Sequence, residues 1–227
     1  MLSTLLQKGI KRLHIFESFN EDIVDRYWQL ADSDSLLFDA ERVPNHGVAA
    51  ILSQIGTNLE HLTASFLVDA HDFFRASLQG QTWKELKTLA MTSRILMPDG
   101  DSTKREELML AAAAAAGKMP KLQVMEIWRG DRNDACVFRY DTTGPNATVS
   151  WHGTWLMELG SELVAAWQPV AVEHSGRRLC VERSEKIRGS LIKSHSDAIE
   201  KLKLKVQVIH PVSLRQAQRE LATGFYN

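Results

Sequence analysis

Histidines beside carboxylates are the residues of this chain whose types and spacing could support acid–base chemistry. An imidazole oriented by a carboxylate moves protons near neutral pH when a nucleophile lies within reach. Such neighbours occur at His71-Asp72, Glu173-His174 and His195-Ser196-Asp197. No Gly-x-Ser-x-Gly elbow, Walker loop or dinucleotide fingerprint accompanies them. The sequence therefore predicts no catalytic residue and no enzyme; a hydrolase or transferase with a site assembled from distant residues is the alternative.

Metal binding is the second chemistry that the side chains could offer. The chain has eight histidines, but none of them stands at a His-x-His or His-x-x-x-His spacing. Cys136 and Cys180 are its two cysteines, and they form no Cys-x-x-Cys pair. We therefore expect no metal, no cofactor and reduced thiols, which favours a cytoplasmic or nuclear protein. Because no acidic residue precedes Glu17, a mitochondrial targeting segment over residues 1–16 is the alternative for the N-terminus.

A recurring apolar spacing predicts the architecture. Its four positions return after thirty-six residues, at Trp83, Leu86, Leu89 and Met91 and again at Met119, Leu122, Met125 and Ile127. Shorter copies predict further strands, giving strands near residues 12–16, 60–66, 87–92, 123–128 and 202–208. Residues 46–56 and 102–117 have helical periodicity between them. The pattern is typical of an α/β protein with an irregular, leucine-rich-repeat-like open layer, mostly parallel strands and outer helices.

The pattern changes after residue 128. Two strand-like runs at 135–140 and 147–151 flank a turn-rich stretch and predict an inserted hairpin. We then expect a helix from Thr154 that Pro169 ends, strand-like runs at 169–173 and 178–182, a helix at 190–199 and a last helix that opens at Pro211. No flexible linker divides the chain, so residues 1–227 are interpreted as one domain, with 1–130 and 131–227 as its subdivision.

The overall charge points to no class of partner. The chain has 27 basic and 28 acidic residues and a net charge of −1, so it lacks the electrostatic signature of a nucleic-acid-binding or membrane-surface protein. No apolar run is long enough to span a bilayer. The sequence therefore predicts neither nucleic acid nor membrane as a partner.

The recurring apolar spacing also predicts which side chains of the strands share the sheet face opposite the helices. Residues that alternate with the core positions point to that face. They form two rows, His14, Thr63, Ala90, Glu126 and Lys203 and then Phe16, Ser65, Thr92, Trp128 and Lys205. Open sheet faces of repeat proteins commonly bind macromolecules, and large aromatic side chains dominate such interfaces. We expect partner-binding residues on this face at Phe16, Glu126, Trp128, Lys203 and Lys205.

Several sequence blocks stand out, at residues 89–94, 119–128, 138–140, 151–155, 192–199 and 208–214. They resemble a filamentous-fungal family whose members are commonly labelled F-box proteins, and the resemblance covers roughly residues 58–220. It implies a leucine-rich-like substrate-receptor region with a C-terminal domain of unknown function, and a ubiquitin-ligase adaptor as a partner of longer relatives. Residues 1–40 show no Leu-Pro-rich F-box pattern. The expected function is thus a non-enzymatic protein-binding module related to F-box substrate receptors.

Overall fold

A seven-stranded sheet whose strand order follows the chain forms the centre of the molecule. The computed structural model describes residues 9–17, 44–76, 80–182 and 186–223. The strands in these ranges are β1 (Arg12–Phe16), β2 (His61–Asp69), β3 (Thr88–Thr92), β4 (Val124–Asp131), β5 (Asp134–Asp141), β6 (Ala147–Gly153) and β7 (Leu179–Val181). The helices are α1 (His46–Ile55), α2 (Ala70–Ala76), α3 (Ser102–Ala116), α4 (Ser161–Ser175), α5 (His195–Lys201) and α6 (Pro211–Thr223).

The first four strands are parallel neighbours, as the repeated spacing predicts. β1 pairs with β2, β2 with β3 and β3 with β4 in parallel, whereas β5 is antiparallel to both β4 and β6. β7 closes the order in parallel with β6. The predicted strands at 12–16, 60–66, 87–92 and 123–128 and the inserted hairpin are confirmed. The structure is a mixed α/β fold with a mostly parallel sheet.

The helices α1 to α4 cover one face of the sheet. Leu89, Met91, Met125 and Ile127 are buried in the core between this face and the helices. Four of the six consecutive alanines of α3 are buried in this core, where small side chains let the helix approach its neighbours closely. Asp101 caps α3 by accepting a hydrogen bond from the backbone N–H of Thr103. The predicted helices at 46–56 and 102–117 are confirmed to within one residue.

The helix predicted from Thr154 to Pro169 is wrong at both ends. α4 begins at Ser161 and continues through Pro169 to Ser175, so the strand expected at 169–173 is part of this helix. Trp167 and Ala171, on either side of the proline, are both fully buried in the helical core. Burial of side chains on both sides of Pro169 offsets the backbone hydrogen bond that a proline cannot donate.

Residues 186–223, which we name the C-terminal layer, cover the opposite face of the sheet. Ile192, Ala198, Leu202, Val206 and Val208 form a second apolar core with side chains of β3, β4 and β5. The sheet is therefore not an open layer, and the strand expected at 202–208 does not form; these residues lie across the sheet face without joining its order. Among the described residues, no helix combines the length and apolar content that crossing a membrane requires.

Candidate functional site: the covered sheet face and its basic layer

The two predicted rows of side chains do exist on the first four strands. His14 lies opposite Thr63, Thr63 opposite Ala90, and Ala90 opposite Glu126 in the strand pairing. In the second row, Phe16 lies opposite Ser65 and Thr92 opposite Trp128. The second row is interrupted between Ser65 and Thr92, because the β2–β3 register shifts after Ala64 and Thr92 pairs with Asp69 instead. Alternate residues point to opposite faces of a strand, so the sequence assigned the register correctly except at this shift.

The face that carries the rows is covered, contrary to the expectation of an open surface. Trp128 and Glu126 are each 0% exposed. The indole of Trp128 lies edge-on to Phe66 at a ring distance of 5.3 Å, and Phe16 packs edge-on against Phe66 and tilted against His195 of α5. Since the C-terminal layer occupies the sheet face, Glu126 and Trp128 are not surface residues in this structure. Direct contact of these two with a partner stays a prediction that this burial disfavours.

Glu126 binds the C-terminal layer through its carboxylate. Its Oε1 atom accepts hydrogen bonds from Nε of Arg139 at 2.6 Å and from the backbone N–H of Lys205 at 3.0 Å. Its Oε2 atom accepts one from the backbone N–H of Val206 at 3.0 Å. A buried carboxylate is tolerated only when it is paired and hydrogen-bonded in this way. The side chain therefore replaces the neighbouring strand that residues 205–206 would otherwise need as a hydrogen-bond partner.

Arg139 completes this attachment from the neighbouring strand. It stands directly opposite Glu126 in the β4–β5 pairing, and its Nη2 donates to the carbonyl oxygens of Leu202 at 3.3 Å and Lys203 at 2.8 Å. Arg139 is not among the site residues that the sequence predicts. The signal that could have identified it is the opposite-charge pair that the hairpin register brings together across two strands.

Further polar contacts hold the same segment at both sides of the Glu126–Arg139 pair. His14 Nδ1 lies 2.9 Å from the carbonyl oxygen of Gln207, and His152 Nε2 lies 3.4 Å from that of Lys201. Nζ of Lys205 pairs with the carboxylate of Asp141. Burial alone would raise the pKa of Asp141, but the hydrogen bonds from Lys205 and Thr143 outweigh it and hold the pKa below its ordinary value. The polar side chains of the sheet face thus bind residues 201–207 of the same chain.

Lys203 and Lys205 lie on the outer side of the C-terminal layer. Leu202, Val206 and Val208 are buried against the sheet, whereas both lysines are exposed. The alternation of apolar and basic residues that predicted a strand here therefore separates a buried side from a solvent side. Lys203 has φ +50°, a left-handed conformation that interrupts the extended run. Of the five predicted partner-binding residues, these two are the ones with free access to solvent.

The outer surface of the C-terminal layer is basic. Residues 186–223 contain eight Lys and Arg but only three Asp and Glu, although the whole chain has a net charge of −1. Lys186, Arg188, Lys193 and Lys203 are exposed and make no ion pair with a described residue. The near-neutral net charge of the chain therefore results from a basic C-terminal layer and an excess of acidic residues in the rest of the chain.

The three histidine–carboxylate neighbours lie apart and have structural contacts. Nδ1 of His71 is 3.7 Å from Asp72, and Nδ1 of His174 is 3.0 Å from the hydroxyl of Tyr140. Burial lowers the pKa of His174. The carboxylate of Asp197 accepts a hydrogen bond from the backbone of Lys193. Within the described ranges, no three His, Cys, Asp or Glu side chains are placed to hold a metal ion.

Comparison with known proteins gives a family but no function. The model of a family described as "Family of unknown function (DUF6546)" matches residues 5–210. No curated protein and no solved structure matches the chain. The family description mentions no F-box, so the relation to F-box receptors stays a prediction.

Proposed function

We propose that the chain, which belongs to the DUF6546 family of unknown function, is a non-enzymatic protein-binding module that recognises an acidic surface of its partner through the C-terminal layer. Lys203 and Lys205 are the proposed contacts. The observation that carries the proposal is the segregation of positive charge onto this layer. More specifically, we propose that the module recognises substrates as F-box receptors do, and that a ubiquitin-ligase adaptor is among its partners.

Solvent access and charge support the proposed contacts. Lys203 has no carboxylate partner among the described residues, and the side chain of Lys205 is 48% exposed even though it pairs with Asp141. Uncompensated surface charges raise association rates with oppositely charged partners and select against basic ones. A basic layer on an otherwise acidic chain therefore orients a partner towards one face of the molecule.

The buried members of the predicted set support the layer from below. Glu126 and Arg139 fix the backbone on both sides of Lys203 and Lys205, and Trp128 packs in the apolar core under the layer. A fixed backbone reduces the conformational entropy that a binding surface loses on association. These residues thus act on recognition indirectly, by holding the two lysines in place.

The proposal is tested by affinity purification with the full chain as bait, from nuclease-treated extracts of cells that encode it. The test variant is Lys193→Glu/Lys203→Glu, which reverses two exposed, unpaired charges of the layer. The matched control is Lys84→Glu/Lys104→Glu, which reverses two exposed lysines outside it. We expect the recovered partner to be lost with the test variant, to be kept with the control and to elute at raised salt.

Retention of every partner by the Lys193→Glu/Lys203→Glu variant would contradict the basic layer as the binding surface. The same purification tests the relation to F-box receptors separately, through the recovery of a ubiquitin-ligase adaptor. Recovery of an adaptor subunit with the wild-type bait supports the F-box relation, whereas recovery of other partners without it removes that relation and leaves the binding module intact.

A further inference from the structure

A polar cavity of about 640 Å³ opens at the end of the sheet where β3 and β4 begin. Its walls come from the entry to β3, the α3–β4 connection, the β5–β6 connection and the end of α4. The volume lies within the range of small-molecule sites in proteins. The cavity is separate from the C-terminal layer, since none of the residues that line it belongs to residues 186–223.

Among the described residues that line this cavity, three side chains are cationic and none is a carboxylate. Lys87, Lys121 and Arg177 reach it from three different connections. Lys87 and Lys121 are held by Glu60 and Glu85, each at 2.7 Å, and neither glutamate lines the cavity. Nη1 of Arg177 donates to the carbonyl oxygen of Gly144 at 2.7 Å, the one hydrogen bond of its guanidinium to a described residue. Arg177 has no carboxylate partner among the described residues, so its charge and its remaining guanidinium donors favour an anionic ligand. The two paired ammonium groups add N–H donors, and phosphate suits both kinds of group.

The hydroxyl groups of the cavity act as acceptors. The hydroxyl of Thr142 donates to the carbonyl oxygen of Gln123, that of Thr143 to the carboxylate of Asp141, and that of Ser175 to the carbonyl oxygen of Ala171. Each hydroxyl has one proton to donate, so its oxygen can only accept further hydrogen bonds; that of Ser175 already accepts one from the backbone N–H of Arg177 at 3.2 Å and has one lone pair left. A ligand that complements them must itself carry donors such as hydroxyl groups.

No Trp, Tyr or Phe is found in the part of the lining that the structure describes. Proteins that bind single-stranded nucleic acid without sequence preference commonly stack its bases on aromatic side chains. Cations for a phosphate, acceptors for hydroxyl groups and the lack of an aromatic platform together indicate a phosphorylated sugar or polyol. We propose that this cavity binds such a ligand, with Arg177 and Lys121 on the phosphate and Thr142, Thr143 and Ser175 on the hydroxyl groups.

Isothermal titration calorimetry of the full chain tests the site, with glucose 6-phosphate as the probe and glucose and inorganic phosphate as its two halves. We expect the phosphorylated sugar to bind at least about tenfold more tightly than either half, because it alone satisfies both sets of groups. Arg177→Gln should weaken binding by about tenfold. Arg178→Gln, which removes the neighbouring exposed arginine outside the cavity, should leave the affinity unchanged.

Three results would overturn the assignment. One is the lack of a binding signal for glucose 6-phosphate at millimolar concentration. Another is equal weakening by Arg177→Gln and Arg178→Gln, which would show a general effect of charge. The last is Arg177→Gln lowering the thermal stability while the affinity stays unchanged, which would make Arg177 a structural partner of the Gly144 carbonyl in the β5–β6 connection. Because none of the variants alters the C-terminal layer, this test stands apart from that of the protein-binding function.

Discussion

Replacement of Glu126 by alanine should weaken the attachment of the C-terminal layer. The carboxylate is fully buried and accepts three hydrogen bonds, one from Arg139 and two from the backbone of the layer. Removing one member of a buried ion pair costs about 3–5 kcal/mol, because the other charge is left without compensation. We therefore expect Glu126→Ala to lower the free energy of unfolding by about that amount.

Glu126→Gln separates charge from shape in the same site. An amide oxygen in the place of Oε1 can still accept from Arg139 and Lys205, but the amide NH₂ then faces the N–H of Val206. One hydrogen bond and the charge are lost while the volume stays, so the expected loss is about 1.5–3 kcal/mol. The double variant Glu126→Ala/Arg139→Ala should cost less than the sum of the two single changes, since it leaves no buried charge unpaired.

Urea denaturation followed by circular dichroism measures these free energies, with Glu107→Ala on the exposed side of α3 as the control, which should change stability by less than about 0.5 kcal/mol. Hydrogen exchange reports where the layer detaches: the amides of Lys205 and Val206 should exchange faster in Glu126→Ala and become less protected than those of β3, whose protection falls only with the global stability. A loss below about 1 kcal/mol with unchanged exchange at both amides would refute the reasoning, because the carboxylate would then not hold the layer.

Other changes test the packing and the charges of the fold. Gly130→Ala should cost about 1–3 kcal/mol in urea denaturation, because its Cβ would lie 2.4 Å from an α5 side chain; Gly117→Ala, whose Cβ would meet no atom closer than 3.7 Å, is the control that should stay near wild type. Leu89→Ala or Ile127→Ala should each cost about 2–5 kcal/mol by the same assay, and losses under about 0.5 kcal/mol for both would mean that these buried side chains are not packed as described. Burial holds the pKa of His174 below its ordinary 6.5, so the unfolded chain binds the proton first and stability should fall as the pH drops below about 6.5. His174→Gln should flatten that part of the stability–pH curve, and an unchanged slope would exclude His174 as its source.

The parallel part of the sheet was predictable because it depends on local patterns. The recurring apolar spacing placed Leu89 beside Met125, and the strand period of two then determined which side chains share a face. The same logic failed at residues 202–208. Alternation of Leu and Val with Lys reveals that one side of an extended segment is buried, but it does not say whether backbone or side chains satisfy its hydrogen bonds. Here the partners are Glu126 and Arg139, distant in sequence.

The extent of α4 and the basic layer also depend on information that local patterns lack. A proline in a helical pattern usually ends the helix. At Pro169 the helix continues, because Trp167 and Ala171 on either side are buried in the core. The total charge of the chain conceals the excess on residues 186–223, which becomes visible only when those residues are known to share one face. Of the predicted site, the lysines are exposed as expected, whereas the burial of Glu126 and Trp128 follows from tertiary packing.

The attachment of the C-terminal layer has a consequence for synthesis of the chain. Strands β1 to β7 pair with neighbours in chain order, so the sheet can assemble progressively as it leaves the ribosome. Its second face cannot be covered at that stage, because the contact between Glu126 and Lys205 spans 79 residues and that between His14 and Gln207 spans 193. Until residues 202–208 emerge, the nascent chain exposes Trp128 and its apolar neighbours to solvent, and this interval is when chaperones or aggregation would act on it.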